Sequence, residues 1–201
     1  MIKYSIIITC YNREKFISKS IRSAVNQVFL GSNKHEVIVV DDNSKDNSQK
    51  IISDFVPVIK YVKNKKNLGI SAARNRGIRA SSGKYILMLD SDDYISNNFL
   101  DIMGRFLDLN NFWDAVACDY IKVKDNGKIL KRYNCKKKPI ACGILFRRKV
   151  LFSIGLYNKK LKINEEIDLK KKFLIKKLKM GYIELPLYRY VIHNENLTKK
   201  K

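Results

Sequence analysis

Tyr85-Ile86-Leu87-Met88-Leu89-Asp90-Ser91-Asp92-Asp93 reads as a buried strand that runs directly into an acidic loop. The unbroken apolar run Tyr85 to Leu89 lacks the alternation of a half-exposed strand, so it fits a strand covered on both faces. Carboxylates beside such a strand are costly unless something offsets their charge. A hard divalent cation does this with oxygen ligands, and arginines do it as ion pairs. Asp-x-Asp by itself is a weak signal, because acidic turns after strands are common. Its meaning depends on what surrounds it.

Towards the N-terminus the same pattern repeats. Ser5-Ile6-Ile7-Ile8-Thr9, Val37-Ile38-Val39-Val40 and Val58-Ile59-Lys60-Tyr61-Val62 also read as strands. Between them, Ile17, Ile21, Ala24, Val25 and Val28 follow helical spacing. Ser44 or Asp46 is placed to cap a short helix ending near Phe55. A further helix is expected from about Ser71 to Ala80, closed by a turn at Gly83. Strands alternating with helices imply βαβ units, right-handed crossovers and a mainly parallel sheet. The expected class is therefore α/β, a Rossmann-like sheet flanked by helices.

In such sheets ligands bind beyond the carboxyl ends of the strands. Three strand ends here are polar: Thr9-Cys10-Tyr11-Asn12-Arg13-Glu14, Asp41-Asp42-Asn43-Ser44-Lys45-Asp46 and Asp90-Ser91-Asp92-Asp93. In Asn67-Leu68-Gly69-Ile70-Ser71-Ala72-Ala73-Arg74-Asn75-Arg76-Gly77, the small Ala72, Ala73 and Gly77 let a helix approach its neighbours closely. Arg74 and Arg76 can reach phosphates or the acidic loops, or simply face solvent.

Past residue 110 the pattern changes. Trp113–Tyr120, Ile121–Lys124, Ile129–Tyr133 and Ile140–Phe146 read as shorter strands, with a hairpin turn at Asp125-Asn126-Gly127. Residues from Glu165 to Met180 read as a helix ending at Gly181. Its apolar positions fall on two sides, so they form no single stripe.

The 201 residues suit one domain, and 45% hydrophobic with 30% charged residues excludes a disordered chain. No apolar run reaches the roughly 20 residues of a bilayer span, and no signal peptide is evident, so a cytosolic location is expected. Cys10, Cys118, Cys135 and Cys142 have no zinc spacing and read as reduced thiols. The net charge of +22 implies a polyanionic neighbour or a lysine-coated surface. No helix-turn-helix, zinc finger or RNA-binding aromatic motif is present, so no nucleic-acid partner is expected.

Together these segments resemble the inverting glycosyltransferase family 2, which has the GT-A fold. Besides the three strand ends and the Asn67–Gly77 stretch, the resemblance rests on Cys142-Gly143-Ile144-Leu145-Phe146-Arg147, Ile154-Gly155-Leu156-Tyr157 and Asn164-Glu165-Glu166-Ile167-Asp168-Leu169. It implies one catalytic domain, with residues 1–110 binding nucleotide, 111–198 serving the acceptor and 199–201 forming a basic tail. It implies a donor site built from Thr9, Tyr11, Asn12, Glu14, Asp41, Asp42, Ser44, Arg74, Asp90 and Ser91. Asp41 would meet the base and Asp90 the ribose. Asp92 would bind Mn²⁺ or Mg²⁺, and His193 matches a histidine that contacts metal or diphosphate in some members. Glu166 stands where the family's catalytic base is more often Asp, with Glu165 and Asp168 as rivals. The implied partners are a nucleotide-sugar, expected to be UDP-linked, and a saccharide or lipid-linked acceptor at the inner face of an anionic membrane. The absence of a Gln-x-x-Arg-Trp signature argues against a processive synthase. A sugar nucleotidyltransferase and an inactive sugar-binding homologue are the competing readings.

Overall fold

The structure is a computed structural model that describes residues 1–161, 163–194 and 196. The basic tail at 199–201 lies outside the described residues. The elements in chain order are β1 (Tyr4–Cys10), α1 (Ile17–Val25), β2 (His35–Asp41), α2 (Ser48–Ser53), β3 (Lys60–Lys63), α3 (Ile70–Ala80), β4 (Tyr85–Asp90) and β5 (Tyr94–Ile95). They continue with α4 (Phe99–Leu109), β6 (Ala115–Lys124), β7 (Ile129–Tyr133), β8 (Ile144–Arg147), α5 (Arg148–Ser153), α6 (Glu165–Ile175) and β9 (Met180–Ile192).

The strands form one sheet in the order β3-β2-β1-β4-β8-β6-β9-β5, with β7 paired to β6. β1, β2, β3 and β4 run parallel, so β1, β2 and β4 end on the same edge. β8 runs antiparallel to both β4 and β6, and β9 runs parallel to β6. This is the expected α/β class, with every antiparallel pair involving a strand of the second half.

The apolar runs explain the layers. In β1, Tyr4, Ile6, Ile8 and Cys10 face one core, while Ile7 faces the other. β2 splits the same way into Val37 and Val39 against Ile38 and Val40. Each fully buried isoleucine contributes about 1.5–3 kcal/mol, so both faces must be covered. Residues of α1 and α4 cover one, and residues of α3, α5 and α6 cover the other.

Gly77 sets how closely α3 approaches the sheet. A Cβ there would lie 2.3 Å from Ile7 Cγ2 and 3.2 Å from Val40 Cγ2, both in a fully buried layer. Gly77→Ala gains helix propensity of about 1 kcal/mol but overpacks this contact. We expect a net loss of about 1–2 kcal/mol, read from the midpoint of urea unfolding.

Several expectations need correction. The helix after β2 starts at Ser48, and it is Asp46, not Ser44, whose Oδ1 accepts from the Ser48 N–H. Val28 lies beyond α1 and is exposed. β3 begins at Lys60, because residues 55–58 turn instead of extending. Trp113–Tyr120 and Ile121–Lys124 merge into the single strand β6. The Asp125–Gly127 hairpin is present, with Gly127 at φ +84. α6 stops at Ile175, and Met180 and Gly181 open β9. The helices α4 and α5 and the strands β5 and β9 were not anticipated.

Candidate active site

The loops at the ends of β1 and β2 are knitted together. Asn12 and Asn43 take left-handed backbone conformations, which asparagine tolerates better than most residues. The Asn12 N–H donates to Ser44 Oγ, and Asn12 Oδ1 accepts from the Lys45 N–H at 2.7 Å. Glu14 accepts from the backbone and side chain of Asn47. Asp41 is fully buried, and its Oδ1 accepts from the Ser44 hydroxyl at 2.5 Å and the Ser44 N–H at 3.1 Å. Asp42 accepts from Asn64 Nδ2 and from the N–H groups of Leu68 and Gly69. Asp42 thereby fixes the loop that launches α3.

From α3, Arg74 projects to the end of β4. Its guanidinium donates to Asp90 Oδ1 at 3.1 Å, Glu165 Oε1 at 2.8 Å and Glu166 Oε1 at 3.4 Å. The Arg74 side chain is 4% exposed, Glu165 6% and Glu166 35%. Burial opposes the Arg74 charge, but Tyr157 and the three carboxylates outweigh it and hold its pKa above the ordinary value. Burial, together with Glu165 and Asp90, raises Glu166 above the usual carboxylate range, against the pull of Arg74. Arg76, by contrast, bonds Lys63 O and Asn64 Oδ1, so only Arg74 of the two arginines serves the acidic loop.

The acidic loop has three differentiated carboxylates. Asp90 Oδ2 accepts from the Cys142 thiol at 3.1 Å. Asp93 is buried, accepting from Tyr188 Oη at 2.7 Å and the Val191 N–H at 2.8 Å, so it ties the loop to β9. Burial and then the charges of Asp92 and Asp90 raise its pKa well above normal. Asp92 Oδ2 lies 3.0 Å from His193 Nε2 and 3.6 Å from Arg13 Nε. Burial and Asp90 raise the Asp92 pKa, while Arg13 and His193 pull it down. The His193 ring stacks on Phe16 at 4.1 Å between centroids.

These groups line a cleft of about 220 Å³ bounded by Thr9, Arg13, Arg74, the whole segment Asp90–Asp93, Glu165, Glu166, Tyr190 and Asn196. Of the expected site residues, Thr9, Arg74, Asp90, Ser91, Asp92 and Glu166 line it directly, and His193 joins through Asp92. Asn12 and Glu14 line an adjoining depression that shares Arg13. Asp41, Asp42 and Ser44 are buried and engaged within their loops, and Tyr11 is exposed at the strand end. Arg13, Tyr190 and Asn196 were missed. Arg13 stood inside the first polar strand end and could have been included. The other two depend on β9 returning to the loop, which no local pattern announced.

Two donor sets could hold a cation. Asp90, Asp93 and Cys142 lie within 4.8 Å of one another. However, burial pushes the Cys142 thiol well up, and both Asp93 oxygens are already engaged, one by Tyr188 and one by Val191. The carboxylate–imidazole pair Asp92 and His193 offers oxygen and nitrogen suited to Mn²⁺ or Mg²⁺. That pair fits a divalent ion better.

Similarity to known proteins agrees with the fold. The solved structure of Staphylococcus aureus TarS (residues 1–349) in complex with UDP-GlcNAc superposes with a TM-score of 0.82 at 22% identity, covering 100% of this chain and 61% of that one. The Pyrobaculum calidifontis mannosyltransferase PcManGT, in complex with GDP-Man and Mn²⁺, gives 0.75 at 14% identity, covering 98% of this chain and 59% of that one. An uncharacterized glycosyltransferase of Rickettsia bellii is 32% identical over 210 residues, covering 98% of this chain and 30% of that protein. The chain spans between 21% and 32% of the length of three such curated relatives. The family model described as glycosyl transferase family 2 matches residues 5–168, so with the polar strand ends, the acidic loop and this sheet order, the chain belongs to that family.

Proposed function

We propose that this domain is a metal-dependent, inverting glycosyltransferase that moves a sugar from a nucleotide-diphosphate sugar to a hydroxyl of a saccharide or lipid-linked acceptor. The observation that carries this reading is one cleft walled by Asp92 with His193 and by Glu166, with Arg74 bridging Glu166 to Asp90. UDP is the first nucleotide to test, because the TarS structure holds UDP-GlcNAc. Residues 1–110 hold the donor in this scheme, and 111–198 present the acceptor. The pathway is assembly of a cell-surface polysaccharide, on the cytoplasmic side of an anionic membrane. The contact proposed is peripheral; among the described residues no helix is long and apolar enough to cross that membrane.

The residues divide the work as follows. Tyr11 is exposed at the end of β1 and can stack on the base, while Asn12 and Glu14 shape the rim beside it. Asp41, Asp42 and Ser44 act from behind, holding the loops that contact the nucleotide. Thr9, Asp90 and Ser91 face the ribose and diphosphate side of the cleft. Asp92 and His193 would hold Mn²⁺ or Mg²⁺, which supplies positive charge to the departing nucleoside diphosphate. Glu166 takes the proton of the acceptor hydroxyl, a step that contributes about 10²–10⁴-fold. Its partial exposure suits contact with an incoming acceptor, whereas the burial of Glu165 against Arg74 suits a positioning role.

The test is incubation with Mn²⁺ and a panel of nucleotide-sugars, with the released nucleotide measured. Nucleoside diphosphate release supports the proposal. Pyrophosphate release would point to a nucleotidyltransferase, donor binding without release to an inactive sugar-binding homologue, and neither binding nor release with any donor would overturn the proposal. Asp92→Ala should weaken Mn²⁺-dependent donor binding by at least about tenfold, measured by calorimetry with and without metal. An unchanged metal dependence would move the metal site elsewhere.

A further inference from the structure

The two-sided apolar pattern of α6 has a physical explanation. Its inner side, Leu169 and Phe173, packs into the core beneath the sheet with Val150, Leu151 and Phe146. Its outer side carries Ile167 (52% exposed) and Leu174 (61% exposed), seven residues apart and so nearly in line along the helix. Lys170 and Lys171 are exposed and flank that line on either side. Ile163 (64% exposed), two residues before the helix, lines the cleft beside Glu166, and Ile175 (79% exposed), the last helical residue, lies about 100° round from Leu174. Lys176, Lys177 and Lys179 follow, all exposed. The acids of this helix do not interrupt the face: Glu165 and Glu166 turn to Arg74, and Asp168 pairs with Lys172 at 2.8 Å.

Two exposed aliphatic side chains in line on one helix face, with a further exposed isoleucine at each end of the segment, make an apolar strip bordered by lysines, the pattern of a helix lying in a membrane interface. Apolar side chains enter the acyl boundary while lysine ammonium groups stay at the level of anionic headgroups. The +22 net charge of the chain adds long-range attraction of the same sign. We propose that the outer face of α6, centred on Ile167, Lys170, Lys171 and Leu174, seats the domain on an anionic lipid surface. Ile163 and Glu166 then stand at the edge of that surface, so a lipid-borne hydroxyl reaches the base without leaving the bilayer. The function given to that edge rests on the glycosyltransferase reading; the lipid contact itself does not.

The test is flotation of this chain with vesicles of pure phosphatidylcholine or of phosphatidylcholine and phosphatidylglycerol in equal parts. Wild type should float with the anionic vesicles alone and be released by high salt. Ile167→Gln with Leu174→Gln, and separately Lys170→Gln with Lys171→Gln, should each lower binding by about tenfold or more. Both pairs are solvent-exposed, so melting temperature and vesicle-free donor hydrolysis should match wild type. Failure of wild type to bind, or equal binding by the Ile167/Leu174 variant, overturns the proposal. So does a wild-type dimer that this variant dissolves without any vesicle binding, which would assign the face to a second copy. Vesicle binding that is lost in both variants, in a chain that hydrolyses no donor, supports the lipid face and sinks the catalytic reading.

Discussion

Replacing Arg74 by Met should destabilise the domain by about 3–5 kcal/mol, the cost of breaking a buried ion pair by removing one partner. Arg74 is the cation shared by Asp90, Glu165 and Glu166, and its side chain is almost fully buried. Methionine keeps much of the length and apolar stem, so the loss comes mainly from uncompensated negative charge. Urea unfolding near neutral pH measures it. The pH dependence separates charge from packing. Glu166 already sits above its usual carboxylate range, and removing Arg74 takes away the attraction that opposes this rise. A carboxyl whose folded-state pKa exceeds its unfolded value destabilises the fold when ionised, and relieves it as pH falls through the folded value. The gap between Arg74→Met and wild type should therefore narrow on acidification from neutral pH. A constant gap would assign the loss to packing. Arg74→Lys should recover only part of the stability, since an ammonium cannot fork to three acceptors as a guanidinium does.

Arg74 also shows what could be read from residues alone. Its reach towards the acidic loop was open in sequence, but Arg76 had equal standing. The choice rests on the phase of α3: Ala73, Arg74 and Gly77 face inward, and Arg76 turns to Asn64. That phase is set by Asp42 gripping Gly69 and by the Gly77–Ile7 contact, both tertiary. The parallel half of the sheet was legible because strands buried on both faces are continuous apolar runs. β9 was not: Met180-Gly181-Tyr182-Ile183-Glu184-Leu185-Pro186 mixes glycine, proline and charge, and it becomes a strand by pairing with β6 through two register shifts. α4 carries a helical pattern legible in the sequence, Phe99, Leu100, Met103 and Leu107, all fully buried. The consequence for the site was specific. His193 had a motif match but no location, because its approach to Asp92 depends on β9.

Glu166→Gln should leave donor binding intact and lower sugar transfer by about 10²–10⁴-fold, because the amide occupies the same space but takes no proton. The three acidic candidates on α6 are separated by their partners. Glu165 is buried against Arg74, and Asp168 is paired with Lys172, whereas Glu166 holds Arg74 only through the longer contacts of 3.4 and 3.5 Å and is the more exposed of the two glutamates in the cleft wall. Glu165→Gln should therefore act mainly on stability, and Asp168→Asn should have little effect on either. The pH profile carries the sharper distinction. A base must be ionised to work, so kcat/KM should fall as pH drops through the Glu166 pKa. Burial, Glu165 and Asp90 raise that pKa, so the acid limb should lie above the ordinary carboxylate value of about 4.3. In Glu166→Gln the residual rate should lose this limb, while Glu165→Gln should shift it downwards by removing one of the neighbouring negative charges. Full turnover in Glu166→Gln would rule out Glu166 as the base, and an unshifted limb in Glu165→Gln would mean that the Glu165 charge has no part in raising its pKa.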